Sequence, residues 1–298
     1  MTETTPRDDF RAGVLGATSL VGKFLLPKLL EAGIEVVAFS RQKKTSALDS
    51  IEWRQLVEEQ LPIAVGEDIP LWVSLLPIWL LPQQLVMLKM VRVKRLVALS
   101  STSCFTKKTS PYVAERALAQ RLVAAENEVL QWADATGVAV ILLQTTMIYG
   151  QGEDHNVAAI ANFIQRYRFF PLLGAAEGQR QPVHAQDVAF ACHAALMKTR
   201  PSRTYILSGG EELTYREMVM RIFIALGSPV RFIKIPLWLF KIGGWLFCCC
   251  GKKIPPGVAE RMNQDLVFDH AAATCDLGFS PRPFVPDLKH PSEKVSGS

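Results

Sequence analysis

The stretch "VLGATSLVG", residues 14–22, decides how the rest of the chain is read. It follows the apolar run "RAGVLGA" and opens the amphipathic run "SLVGKFLLPKLLEAG", which closes at Gly33. A strand that turns through small residues into a helix leaves the first helical amides and the positive end of the helix dipole facing outward, an arrangement that receives phosphate. Gly16, Ser19 and Gly22 hold the three positions where such a turn carries glycines when it binds a pyrophosphate, and Ser19 in the middle is the departure. A glycine there allows the closest backbone approach; a serine crowds it and adds a hydroxyl. An ordinary strand-to-helix turn has the same spacing, so the remaining sequence must discriminate.

Short apolar runs alternate with amphipathic ones through the first half, the pattern of βαβ units around a parallel sheet. After "RAGVLGA" come "IEVVAFS" and "IEWRQLV" as second and third strands, "LWVSLL" as a fourth, "VKRLVALS" as a fifth and "VAVILLQTTMIYG" as a sixth. "PIWLLPQQLVMLKMV" is predicted as the helix after the fourth strand. "SPYVAERALAQRLVAAENEVLQWADATG" is predicted as one long helix, with Ser110 as N-cap, Pro111 in the first turn and Gly137 as the stop. Beyond Gly150 the pattern loosens. "DHNVAAIANFIQRY" reads as helix, "QPVHAQDVAFACHAALMK" as a strand end running into a helix, and "TYILSG" as a strand. "LTYREMVMRIFIALG" reads as a helix opened by a Thr214/Glu217 capping box. A second lobe is thus laced through the end of the first domain.

The second strand ends in "FSRQKK", with Ser40, Arg41, Lys43 and Lys44 and no acidic residue. A dinucleotide site that takes a ribose 2′-hydroxyl offers a carboxylate there, and one that takes a 2′-phosphate offers Arg or Lys. The reading is NADP, with NAD as the other cofactor such a turn accepts; a solvated basic loop would look the same.

Composition excludes several classes. The 298 residues are 49% hydrophobic and 20% charged, the balance of an ordered globular chain. The net charge of +5 comes from 33 basic and 28 acidic residues spread along the sequence, so no segment reads as a nucleic-acid surface. The six cysteines, at 104, 192, 248, 249, 250 and 275, have neither zinc-ligand nor paired-disulfide spacing and read as reduced thiols of a cytoplasmic protein. "MTETTPRDDF" is polar and reads as a frayed tail rather than a signal peptide. "IPLWLFKIGGWLFCCC", residues 235–250, would reach about 24 Å as a helix, short of a roughly 30 Å hydrocarbon core. With its aromatic residues and flanking lysines it fits peripheral membrane contact, but a cover over a substrate pocket or a homodimer face is the favoured reading.

Taken in order, "GATSLVG", "FSR", "RLVALSSTS", "AAENEVL", "MIYGQG", "QPVHAQDVA", "YILSGGEELTYREM" and "DLGFSPRPF" resemble the landmarks of extended short-chain dehydrogenase/reductases of the NAD-dependent epimerase/dehydratase group, over residues 11–287. The resemblance implies an α/β Rossmann fold, a doubly wound parallel sheet with a smaller C-terminal substrate lobe. Residues 1–150 would form the NAD(P)-binding domain, completed by about 181–208. Residues 151–180 and 209–298 would form the substrate lobe and C-terminal segment.

The implied cofactor contacts are Gly16, Thr18, Ser19, Leu20, Val21, Gly22, Ser40, Arg41, Leu75 and Ser100. The implied activity is that of an oxidoreductase or epimerase on a hydroxyl or carbonyl of a small or nucleotide-sugar substrate. In such proteins a Ser or Thr after the fifth strand holds the substrate oxygen, a Tyr moves the proton, and a Lys four residues later lowers the Tyr pKa. Thr102, with Ser101 beside it, matches the first position, and Tyr112 and Arg116 in "YVAER" are the candidates for the pair. Counting back from Glu126 by the family's helix spacing instead puts Leu118 and Leu122 there, which leaves no catalytic Tyr. Gln144 and Thr145 replace the usual Arg-Pro of the sixth strand, and His184 and Asp187 are expected to fix a strand–helix corner. The alternative reading is a non-catalytic NADP-binding regulatory or assembly protein of the same fold.

Overall fold

A computed structural model describes residues 10–44, 50–56, 67–199, 201, 203–237 and 257–288. The "MTETTPRDDF" tail up to residue 9, and residues 238–250 of the apolar segment with Cys248 to Cys250, lie outside the described residues.

The strands that the apolar runs mark are β1 (Arg11–Leu15), β2 (Glu35–Ser40), β3 (Ile51–Gln55), β4 (Leu71–Ser74), β5 (Arg95–Ser101) and β6 (Ala139–Thr145). They are near-continuously hydrophobic because helices cover both faces of the sheet they form. A seventh strand, β11 (Thr204–Leu207), joins from "TYILSG". All pairs are parallel, in the order β11-β6-β5-β4-β1-β2-β3. The order reverses between β1 and β4, and a crevice opens beyond the carboxyl ends of those two strands.

Helices α1 (Leu20–Glu31) and α6 (Ala185–Met197) pack on one face of the sheet, where Val14, Leu25, Leu29, Val97, Ile141, Val188 and Cys192 share a core. The short α2 (Leu85–Met90), the single turn α3 (Ser103–Thr106) and the long α4 (Val113–Thr136) cover the other face around Trp72, Leu88, Leu96, Cys104, Leu122 and Val129. A third core joins Tyr149, α5 (Val157–Tyr167), β8 (Phe170–Leu173) and α7 (Tyr215–Ala225). Around it lie three two-stranded pairings: β7 (Ile148–Tyr149) with β10 (Val183–His184), β9 (Gln179–Arg180) with β12 (Leu213–Thr214), and β8 with β13 (Phe232–Ile235). The described chain ends with α8 (Val258–Asn263), α9 (Ala271–Leu277) and an extended tail.

Two local expectations are corrected. Residues 77–91 do not form one helix: two 3-10 turns, Ile78–Leu80 and Pro82–Gln84, precede α2. Pro82 has no N–H to donate, so no helical bond runs back from it, although Leu81 before it keeps helical backbone angles (φ −70°, ψ −38°). The cap of α4 is Tyr112, not Ser110. Ser110 accepts instead from the Tyr112 amide at 3.2 Å, in a turn before the helix, so Pro111 precedes the cap rather than following it. The Thr214/Glu217 capping box is formed as read, and His184 caps α6 by accepting from the Gln186 amide at Nδ1.

Gly13, in the middle of β1, faces the Trp72 ring so closely that a Cβ would lie 2.6 Å from it. The ring is fully buried, stacks on Phe39 and donates from Nε1 to the Ile69 carbonyl at 2.7 Å, so it has nowhere to retreat. Gly13→Ala is therefore expected to destabilise the fold by about 1–3 kcal/mol, read as a lower urea midpoint at unchanged slope.

Candidate cofactor and substrate cleft

At the end of β1 the backbone of Gly16 takes φ +72°, and a Cβ there would meet the Leu75 backbone at 3.1 Å. The Leu75 amide donates to the Leu15 carbonyl at 2.9 Å, so the mouths of β1 and β4 are held together at this point. At Gly22 a Cβ would stand 2.2 Å from the Ala17 carbonyl oxygen, so only glycine lets α1 begin this close to the turn. Ser19 is the N-cap of α1, and its Oγ accepts from the Gly22 amide at 3.2 Å. Its hydroxyl therefore satisfies one first-turn amide, and those of Leu20 and Val21 form no other bond among the described residues. The turn fits a pyrophosphate: a left-handed glycine, a close helix start and outward amides at a positive helix end.

Ser19, Leu20 and Val21 form one wall of a cleft of about 1890 Å³, with Leu75, Leu99, Ser101 and Thr102 beyond them. On the β2 side, Ser40 is buried and accepts from the Gln42 amide at 3.2 Å. Arg41, Lys43 and Lys44 point to solvent and pair with no carboxylate among the described residues. Thr18 is exposed at the outer edge of the turn.

The hydroxyls after β5 divide their work. Ser100 is buried and donates to Glu126 of α4. Glu126, itself buried, also accepts from the Gln144 side chain on β6 at 3.0 and 3.1 Å, so this carboxylate ties α4 to two strands. Thr102 donates its hydroxyl to the Thr145 carbonyl at 3.2 Å and keeps only acceptor capacity for a ligand. Ser101 accepts from the Ser103 amide at 3.2 Å and keeps its proton to donate. Sequence reasoning ranks Thr102 first; the hydrogen bonds leave Ser101 the freer donor.

Tyr112 and Arg116 are placed in the same region but do not act on one another. The phenol donates to Glu260 of α8 at 2.9 Å, and the Arg116 guanidinium donates to the Ser110 carbonyl at 2.7 Å. Burial first, and then Glu260, hold the Tyr112 phenol above its ordinary range, the opposite of what proton transfer near neutral pH asks for. In the register that Glu126 fixes, Leu118 and Leu122 pack into the α2/α4 core. His184 and Asp187 hold a corner: His184 sits between Phe24 and Tyr149, and Asp187 pairs with Arg282 at 2.7 Å. His155 is exposed at the cleft edge.

The far wall holds residues that sequence reasoning passed over: Lys107, Glu115, Arg180, Tyr215 and Arg261. Arg180, only 6% exposed, donates to the carbonyls of Gln179 and Gln264 at 2.6 Å and lies over the Tyr215 ring, 5.6 Å from its centroid. It has no carboxylate within ion-pair distance among the described residues, and burial lowers its pKa to about 10. Tyr215 is pushed up to about 12, again by burial. The one sequence signal was the Arg directly before the "QPVHAQD" corner, and nothing in composition marks it as buried.

Residues 83–207 match the NAD dependent epimerase/dehydratase family. The match bears out the resemblance read from the motifs, and the seven-stranded parallel sheet has a Rossmann-type fold. UDP-glucose 4-epimerase of Vibrio cholerae is 23% identical over 158 residues, 53% of this chain and 46% of that protein. Subunit 9 of the NADH dehydrogenase [ubiquinone] 1 alpha subcomplex of Arabidopsis thaliana mitochondria is 33% identical over 120 residues, 40% of this chain and 29% of that protein. The matches thus span less than half the length of these relatives. The fold is also that of UDP-glucuronic acid 4-epimerase from Bacillus cereus, solved in complex with NAD, with TM-score 0.69, 13% identity and 91% of each chain covered.

Glu126→Ala would leave the Ser100 hydroxyl and the Gln144 amide buried without an acceptor. A loss of about 1–3 kcal/mol is expected, measured by chemical denaturation, and Glu126→Gln should recover part of it.

Proposed function

We propose that the chain binds NADP(H) across the Gly16–Gly22 turn and acts as an epimerase/dehydratase-like oxidoreductase on a hydroxyl or carbonyl compound of the nucleotide-sugar or phosphorylated class. The observation that carries this reading is one cleft lined by the phosphate-type turn, the hydroxyls of Ser101 and Thr102, and the buried guanidinium of Arg180, which has no carboxylate at ion-pair distance among the described residues. A buried cation without a counter-charge is costly unless an anion completes it, which supports a phosphate-bearing substrate.

The turn's amides and helix dipole would hold the pyrophosphate, and Arg41, with Lys43 and Lys44, the 2′-phosphate. Once bound, the cofactor supplies hydride transfer. Ser101 would donate to the reacting oxygen and Thr102 would orient it. No transmembrane-length apolar helix is present among the described residues. A cytoplasmic compartment fits the unpaired thiols of Cys104, Cys192 and Cys275, and a homodimer remains part of the proposal.

The cofactor assignment is tested by titrating NADPH and NADH into wild type and Arg41→Ala. NADPH should bind more tightly, and Arg41→Ala should weaken it roughly tenfold while leaving NADH unchanged. Equal affinities that ignore Arg41 would sink the NADP reading.

One observation favours a second reading, a cofactor-binding regulatory or assembly protein without turnover. The only phenol at the start of α4, that of Tyr112, is held by Glu260, and leucines fill the alternative register. Single-turnover NADPH oxidation with a panel of carbonyl substrates separates the two. Oxidation that falls at least a hundredfold in Tyr112→Phe supports the enzyme with Tyr112 as proton carrier. No oxidation by a protein that binds NADPH tightly supports the second reading.

A further inference from the structure

Four charged side chains share the inner end of the cleft, and their pairing is unequal. Arg180 and Arg261 both bear on the half-buried Tyr215, and the charge of Arg261 opposes that of Arg180. Arg180 stacks over the Tyr215 ring and directs its hydrogen bonds to carbonyl oxygens. Asp265 is near enough to act on it, but its carboxylate accepts from the Gln179 amide at 2.8 Å. Arg261 is ion-paired with Glu115.

The Glu115 carboxylate is unusually well seated. Its side chain is 12% exposed, and it also accepts from the Ser110 hydroxyl at 2.7 Å. It lies against Gly257, where a Cβ would come within 2.8 Å of its Oε1. Gly257 has φ +75°, so the backbone that makes room for the carboxylate is itself of a kind that favours glycine. Lys107, half-buried beside them, senses both Glu115 and Arg261. The other carboxylates on the cleft wall are engaged elsewhere: Glu153 pairs with Lys23, Asp154 caps α5, and Glu260 accepts from Tyr112.

We propose that Glu115 is a resident counter-anion for Arg261. The cleft then offers an incoming substrate one uncommitted guanidinium, that of Arg180, and favours a ligand with a single phosphate over a diphosphate. A second phosphate reaches Arg261 only by displacing a carboxylate already desolvated and hydrogen-bonded in its place, and meets that carboxylate's negative charge if it does not. The inference rests on the reading of this cleft as the substrate site, and it makes Glu115 a specificity-determining residue.

The test is calorimetric titration of the NADPH-saturated protein with uridine 5′-monophosphate and uridine 5′-diphosphate, two probes that differ by one phosphate. Wild type should bind the monophosphate at least as tightly as the diphosphate, and a tenfold preference for the diphosphate would overturn the proposal. Glu115→Gln keeps the shape and one acceptor oxygen while it removes the charge, and should tighten the diphosphate at least fivefold with little change for the monophosphate. Glu115→Gln/Arg261→Gln should lose that gain. If Glu115→Gln does not fold, Arg261→Gln alone decides: a loss of diphosphate affinity under threefold is expected, and a tenfold loss would overturn the proposal. It is also overturned if Glu115→Gln moves both ligands equally, or neither, while Arg180→Gln weakens both at least tenfold. If Arg180→Gln changes neither, the substrate-site reading itself fails and the proposal with it.

Discussion

The buried carboxylate of Glu126 is the constraint on which the cleft depends. It ties the middle of α4 to the end of β5 through Ser100 and to β6 through Gln144, and a rigid helix held at one point has its whole face assigned. Three helical turns toward its start, at a spacing of eleven residues, the same face presents Glu115. Between them, Leu118 and Leu122 go into the core. A burial strategy that satisfies one carboxylate with two neutral donors therefore also decides which residues meet substrate and which do not.

The two ends of the cleft attract anions by different means. At one end, backbone amides and a helix dipole offer a diffuse positive field suited to a pyrophosphate. At the other, discrete guanidiniums do the work: Arg180 is buried with no carboxylate at ion-pair distance among the described residues, and Arg261 is paired with Glu115. Side-chain cations in so dry a place act strongly and selectively, because their alternatives are costly. The hydroxyls of Ser101 and Thr102 lie on the path between these ends, one left as donor and the other as acceptor.

The elements legible in the sequence were those whose signal is local. The turn at Gly16–Gly22, the strands as apolar runs and the Thr214/Glu217 box each carry their cause within a few residues. Residues 77–91 misled because their apolar spacing is helical, although the chain closes two 3-10 turns about Pro82 before α2 begins. Ser110 misled because a Ser-Pro pair opens either a helix or the turn before one, and the choice follows from where Glu126 fixes the helix. Arg180, Glu115 and Arg261 lie far apart in the chain, and their meeting depends on α8 returning across the start of α4, which no periodicity encodes. The phosphate turn was therefore readable while the charge pattern of the opposite wall was not.

The last strand to join the sheet has a consequence of another kind. β11 arrives from residues 204–207, after the chain has left to build β7 through β10 and come back, and it alone covers the outer side of β6. A nascent chain that has just completed β6 carries a bare, hydrophobic edge that cannot be closed until some sixty more residues have emerged. During that interval β6 is the segment best placed to pair with a neighbouring chain. Fragments cut near residue 150 would inherit the same open edge permanently, because the strand that covers it lies beyond the cut.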